Sequence, residues 1–269
     1  MRQCSRIHSE RMSDPQGLAF DQMAEDYDVG RPSWPLEMLD GIDAKNVLDL
    51  AAGTGKLTDL LVECYADVVA VEPLAGMRSV LARSVPDAKT LEGTAERIPL
   101  EDASVDAVFV AEAFHWFDSE AAAQEIERVL RPGGWLVVCF NEWRTSFEPG
   151  LSDDARALWN EVASGLPPPG GIKVETGAWR RGLTAFEPLE ELAFDHEWVT
   201  DAEGVASYYV SVSSFGSVPP TERAQLRAGL IEMLPVGSHR LGLTARVYRG
   251  RCLTTIRSWR AAARPVSRR

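Results

Sequence analysis

The stretch "LDLAAGTGKLTDL", from Leu48 to Leu60, constrains the fold more than any other part of the chain. A short apolar run ends in two glycines one residue apart. Leu57, Leu60, Leu61 and Cys64 then recur at helical spacing. The pattern is strand, tight turn, helix. Gly53 and Gly55 allow positive φ and let the backbone come close to a ligand. The helix that starts beside Lys56 points its free N–H groups at the same place. In an open α/β sheet, ligands sit beyond the carboxyl ends of the strands, where this turn lies. Taken alone, the same pattern also suits dinucleotide enzymes and plain tight turns.

The rhythm continues downstream. "DVVAVE" reads as a second buried strand, followed by a helix from about Leu74 to Arg83. "AKTLEG" and "VDAVFVAEAF" supply two more strands. Asp118 can cap a helix with Ala122, Ile126, Val129 and Leu130 on its apolar face. "RPGG" is expected to turn the chain into the strand "WLVVCF". After Asn141 the spacing predicts a helix from Ser152 to Ala163, a loop at "GLPPPGG" and a strand at "LAFDHEWV". Helices near Asp201–Val212 and Thr221–Leu234 and a last strand at "LTARVY" complete the pattern. Near the N-terminus, Phe20, Met23, Ala24 and Tyr27 mark an amphipathic helix that "RPSWP" ends. The expected fold is α/β and Rossmann-like. It has a seven-stranded, mostly parallel sheet with helices on both faces. A cap is built from the N-terminal helix and the middle insertion.

Composition narrows the function. The 269 residues carry a net charge of −12, which repels phosphate backbones and argues against nucleic acid as partner. From Arg249 onward there are seven arginines and no acid, so the remainder carries −19. Cys4, Cys64, Cys139 and Cys252 lie far apart in sequence, without a CxxC pair. They predict reduced thiols and no zinc framework. The apolar runs are too short for a bilayer, and the N-terminus lacks the apolar core of a secretory signal. A cytoplasmic protein without membrane or metal is the expectation. Residues 1–17 read as a disordered leader, 18–248 as the domain with cap elements at about 18–35 and 144–190, and 249–269 as a basic tail.

Glu72 ends the second strand, 19 residues after Gly53, where a carboxylate can accept both hydroxyls of a ribose. Together, "VLDLAAGTGKLT", "VVAVEP", "GTAERIPLEDASVDAVFVAEAFHWF" and "RPGGWLVV" resemble class I S-adenosylmethionine-dependent methyltransferases. "AFHWFD" and "YDVGRPSWP" resemble the small-molecule branch similar to trans-aconitate methyltransferases. The match is strong from Phe20 to Asn141 and loose elsewhere. A dinucleotide dehydrogenase is the rival for this fold, but its third glycine position is Thr58 here.

The resemblance implies S-adenosylmethionine as cofactor and assigns residues to it. Gly53 and Gly55 would lie under its methionine part, with Asp49 fixing the loop and Ala51 offering backbone contacts. Glu72 would hold the ribose, and Pro73 and Met77 would pack on the adenine. Thr94 and Ala95 would read the adenine edge, although many relatives carry Asp in place of Thr94. Ala111 would receive the cofactor's amino group through its carbonyl. Tyr27 and Arg31 would close on its carboxylate, a group that a guanidinium fork fits.

Methyl transfer needs alignment and exclusion of water more than a protein nucleophile. His115, after the fourth strand, is the candidate general base, or else a residue that orients substrate beside Trp116. Glu112 departs from the Gln often found in relatives. His196 alternates with apolar residues and reads as a packed histidine. Trp116, Phe117, Trp143, Trp159, Trp179, Tyr208 and Tyr209 are candidate walls of an apolar acceptor site. The reading is methyl transfer to a small organic molecule, in the manner of secondary metabolism. Two others stay open: a protein that binds the cofactor without transferring methyl, and a macromolecule methyltransferase.

Overall fold

The structure is a computed structural model that describes residues 15–144, 151–167 and 176–253. Seven strands form one sheet in the order β3-β2-β1-β4-β5-β7-β6. They are β1 (Asn46–Leu50), β2 (Asp67–Val71), β3 (Lys89–Leu91), β4 (Val105–Ala111), β5 (Leu130–Trp143), β6 (Glu190–Thr200) and β7 (His239–Arg251). The first five run parallel. Strand β7 lies antiparallel between β5 and β6. This is the expected Rossmann-like sheet.

Strand residues alternate between two cores, because successive side chains leave opposite faces. Leu48, Leu50, Val108, Val110, Leu136, Val138 and Phe140 pack on one side with Ile126 and Val129 of α5 (Ser119–Val129). Val47, Phe109, Val137 and Cys139 pack on the other with Leu57 and Leu61 of α3 (Lys56–Cys64). Burial on both faces explains why these strands read as unbroken apolar runs. The Asp118 side chain caps α5 by accepting the Ala121 N–H.

A third core forms the cap. It joins Met23, Ala155, Val205, Tyr209, Phe215, Leu226 and Leu230. These come from the N-terminal segment, α6 (Asp153–Ala163), α7 (Ala202–Val210), the 3-10 turn Ser213–Ser217 and α8 (Pro220–Met233). The N-terminal segment comprises α1 (Pro15–Ala19), a 3-10 turn (Phe20–Met23) and α2 (Ala24–Gly30). The cap therefore differs from the expected one. Helices α7 and α8 belong to it, whereas the turns Ala178–Arg180 and Leu183–Ala185 pack on the sheet side with Trp179 and Leu183.

Three boundaries also move. Helix α1 begins at Pro15, inside the stretch read as a leader, and residues 1–14 lie outside the described residues. Strand β7 runs to Arg251, so Arg249–Arg251 belong to the sheet and not to a tail. Cys252 then bridges to Phe186, and residues 254–269 lie outside the described residues. "RPGG" is no turn between elements. Strand β5 starts directly after α5 and passes through it, with Gly133 at φ +79° absorbing the irregularity. Most of "GLPPPGG" falls outside the described residues. The remaining helix on the sheet, α4 (Ala75–Ser84), follows β2. No helix among the described residues is long and apolar enough to cross a membrane.

Candidate active site

The tips of β1, β2 and β4 meet beneath the N-terminal helices. The β1 tip bends sharply, with Ala51 at φ +57°, Gly53 at +59° and Gly55 at +97°. An alanine held in the left-handed region is strained, and such strain concentrates at functional sites. The two glycines serve different ends. A side chain at Gly55 would strike Leu81 Cδ1 at 2.5 Å, so this glycine lets α3 approach α4. A side chain at Gly53 would meet only Tyr27 Cε1, at 3.8 Å.

Glu72 stands beside Gly53 and is only 4% exposed. Its Oε2 accepts the Gly53 N–H and its Oε1 accepts the Leu74 N–H, both at 2.9 Å. Burial raises its pKa, and those two N–H groups oppose the rise. Asp49 is also buried. It accepts the Thr58 hydroxyl at 2.6 Å and ties the β1 tip to the first turn of α3. Burial pushes its pKa up to about 7, against the pull of the Thr58 hydroxyl and N–H and with the nearby Glu72 adding to the rise.

The cleft over these tips is lined by Ala51, Gly53, Glu72, Pro73, Met77, Thr94, Ala95 and Ala111, with Phe20 and Tyr27 above. It opens into a second cavity that Arg31, Lys56, His115, Asn141, Trp143 and Tyr208 help to line. Nine of the expected site residues thus meet in the cleft, Tyr27 among them, while Arg31 and His115 stand in the second cavity. Asp49 and Gly55 line neither. They shape the turn from behind, as a brace and a packing glycine.

Arg31 lies between two tyrosine rings, 4.4 Å from the centre of Tyr27 and 4.9 Å from that of Tyr208. Its Nη2 donates to the Ser211 carbonyl at 3.0 Å. Its Nη1 is buried with no hydrogen-bond partner among the described residues. A buried donor left over at the rim of a cleft suits an anionic ligand group. The helices above are pinned down. Asp28 pairs with Lys56 at 2.9 Å, Glu25 with Arg83 at 2.9 Å, and Asp21 accepts the Gly76 N–H at 2.5 Å.

Two site residues have no place in the expected set. Glu112 follows β4 at φ +54° and lines both cavities. Its Oε1 accepts the Asn141 N–H at 2.5 Å. Burial pushes its pKa up to about 7 against the pull of that N–H and of Arg31. Asn141 ends the apolar run of β5, and its Oδ1 meets His196 Nε2 at 2.8 Å. A polar residue at a strand's carboxyl end is the signal that could have found it. His115 packs beside Trp116 and Phe140.

The aromatic residues divide. Trp116 and Phe117 line the cleft, and Trp116, Trp143 and Tyr208 line the second cavity. Trp143 Nε1 donates to the Tyr208 hydroxyl at 2.9 Å. The others are core. Trp179 packs on Phe114, Phe140 and Tyr248, and Trp159 on Tyr209 and Phe215.

A cleft across the strand tips of such a sheet defines the class: a Rossmann-like nucleotide-binding enzyme fold. The sequence profile of the methyltransferase domain family matches residues 48–138. An uncharacterized methyltransferase of Schizosaccharomyces pombe is 35% identical over 226 residues, covering 81% of this chain and 88% of that protein. An uncharacterized methyltransferase of Mycobacterium tuberculosis is 52% identical over 127 residues, 46% of this chain. The match spans about half, 52%, of that relative's length. The demethylmenaquinone methyltransferase of Paenarthrobacter aurescens is 28% identical over 260 residues, covering 90% of this chain and 98% of that protein. Among solved structures, a protein assigned to the type II methyltransferases from Anaeromyxobacter dehalogenans shares the fold. Its TM-score is 0.56 at 22% identity, over 84% of this chain and 99% of that one. The chain belongs to the class I S-adenosylmethionine-dependent methyltransferase family.

Proposed function

We propose that this protein transfers a methyl group from S-adenosylmethionine to a small organic acceptor in the cytoplasm. One observation carries the reading: the cleft at the buried Glu72 carboxylate adjoins a second cavity with aromatic walls, the two having seven lining residues in common. When bound, S-adenosylmethionine supplies a methyl group on a positively charged sulfur. Glu72 would take the ribose hydroxyls, since each of its oxygens can accept more than the one backbone N–H it now holds. Pro73, Met77, Thr94 and Ala95 would enclose the adenine. Arg31 Nη1 would meet the carboxylate and the Ala111 carbonyl the amino group. Tyr27, Phe20 and the pinned helices above would keep water out.

The acceptor would lie in the second cavity against Trp116, Trp143 and Tyr208. His115 is the group there to take a proton from an acidic hydroxyl or amine. The resemblance to trans-aconitate methyltransferases supports a small acceptor. So does the likeness to relatives named for demethylmenaquinone, and both fit a biosynthetic intermediate better than a macromolecule. Calorimetry with S-adenosylhomocysteine tests the cofactor. Release of that product from S-adenosylmethionine in the presence of a quinol or phenol panel tests transfer. Lack of any affinity for S-adenosylhomocysteine overturns the proposal. Binding without transfer to any acceptor class moves the protein to the non-transferring alternative.

A further inference from the structure

The cleft and the second cavity meet at a shared waist. Seven residues line both, and among them Glu112 is the one that carries a formal charge, with Tyr27 the one other titratable group. Between a ribose site at Glu72 and an acceptor cavity at Trp143, this waist is where the transferable group has to pass. The Glu112 side chain is fixed there. Its backbone sits at φ +54° and its Oε1 is held by the Asn141 N–H. Glu112 also borders a third cavity, lined by Asn141, Glu142, Thr176, Arg180, Glu191 and Tyr248. Most of the side chains that line it are polar or charged.

The groups around Glu112 are Arg31 and Tyr27 from the N-terminal segment, Asn141, Glu142 and Cys139 from β5, and His115 from the turn after β4. Arg31 forms no ion pair with it. The guanidinium is held by the Ser211 carbonyl and the two tyrosine rings. Glu112 thus lines the waist with no ion-pair partner of its own, Arg31 acting on it only at a distance.

Building on the donor reading above, we propose that Glu112 is the counter-charge of the donor site, and that it makes the protein hold a cationic sulfonium nucleoside in preference to the neutral thioether left after transfer. An ionised carboxylate attracts a positive sulfur in a site of low dielectric and does nothing for an uncharged one. Loss of the positive charge then weakens the grip on the spent nucleoside. Because burial moves the Glu112 carboxyl up to about 7, the preference is strong above that pH and fades below it.

The test compares S-adenosylmethionine with S-adenosylhomocysteine by calorimetry from pH 5.5 to 8.5, on wild type, Glu112→Gln and Glu112→Asp. In wild type the affinity ratio should fall by about tenfold from pH 8 to pH 6. Net proton release should accompany binding of the cation but not of the thioether. Glu112→Gln keeps an acceptor for the Asn141 N–H, and its ratio should be flat across the range. Glu112→Asp keeps the charge and should retain the pH dependence. A ratio in Glu112→Gln that follows wild type overturns the proposal, as does a flat ratio in wild type. Failure of wild type to bind either nucleoside instead overturns the donor reading beneath it.

Discussion

The Glu72 Oε2 accepts the backbone N–H of Gly53 at 2.9 Å, so the tip of β2 grips the tip of β1 through one buried carboxylate. The same group faces the cleft. Glu72→Ala should therefore weaken S-adenosylhomocysteine binding by roughly tenfold to a hundredfold, the range for losing charge-assisted hydrogen bonds. Calorimetry reads this directly. Affinity within twofold of wild type would show that the ribose is held elsewhere.

The two glycines of the β1 turn should separate stability from binding. At Gly55 a side chain would sit 2.5 Å from Leu81 Cδ1 and 3.1 Å from Val85 Cγ2, at φ +97°. Gly55→Ala should cost about 2–4 kcal/mol in chemical denaturation. Gly53→Ala meets no such clash and should cost about 1–2 kcal/mol of backbone strain. Its methyl group enters the cleft beneath Tyr27, so it should also reduce nucleoside affinity. Equal stabilities for the two variants would contradict this division.

Arg31 should act on one end of the cofactor only. Arg31→Met should weaken S-adenosylhomocysteine by roughly tenfold, the value of one partly buried charge-assisted contact. Binding of 5′-methylthioadenosine, which has no carboxylate, should stay within twofold. A similar loss for both ligands would assign Arg31 to packing between Tyr27 and Tyr208 instead.

Asp49 sets a pH dependence of folding. In the folded chain its carboxyl holds a proton up to about pH 7, whereas the free side chain ionises near 3.8. The folded state binds the proton more tightly. Its contribution to stability is therefore complete below pH 3.8 and is lost as pH rises through 7. Asp49→Asn should flatten the stability curve between pH 4 and 7 and leave the variant relatively more stable at pH 8. Urea titrations at these pH values measure it. A curve that keeps the wild-type slope would remove Asp49 as its source.

The sheet was legible because each strand that matters is buried on both faces. "VLDLA", "DVVAV" and "WLVVCF" have no other way to be satisfied, and the glycines mark where the first one stops. The cap was less legible. Tyr209 adjoins the cavity-lining Tyr208 in sequence, yet like Trp159 and Trp179 it packs inward, because nothing local distinguishes a wall from a core ring. Glu112 was visible as an odd residue. Its place at the waist depends on the β4 and β5 tips coming together through the Asn141 N–H, a contact 29 residues apart. Asn141 shows in the sequence only as a polar residue closing an apolar run, and its contacts to Glu112 and His196 depend on strand register.

Strand β7 is placed between β5 and β6, although it is the last of the seven to be synthesised. Until it emerges from the ribosome, β6 has no neighbour in the sheet, and the outer edge of β5 is bare. Maturation of this half of the molecule is thus a late, single event, and a chain stalled before His239 would leave two unpaired edges open to aggregation.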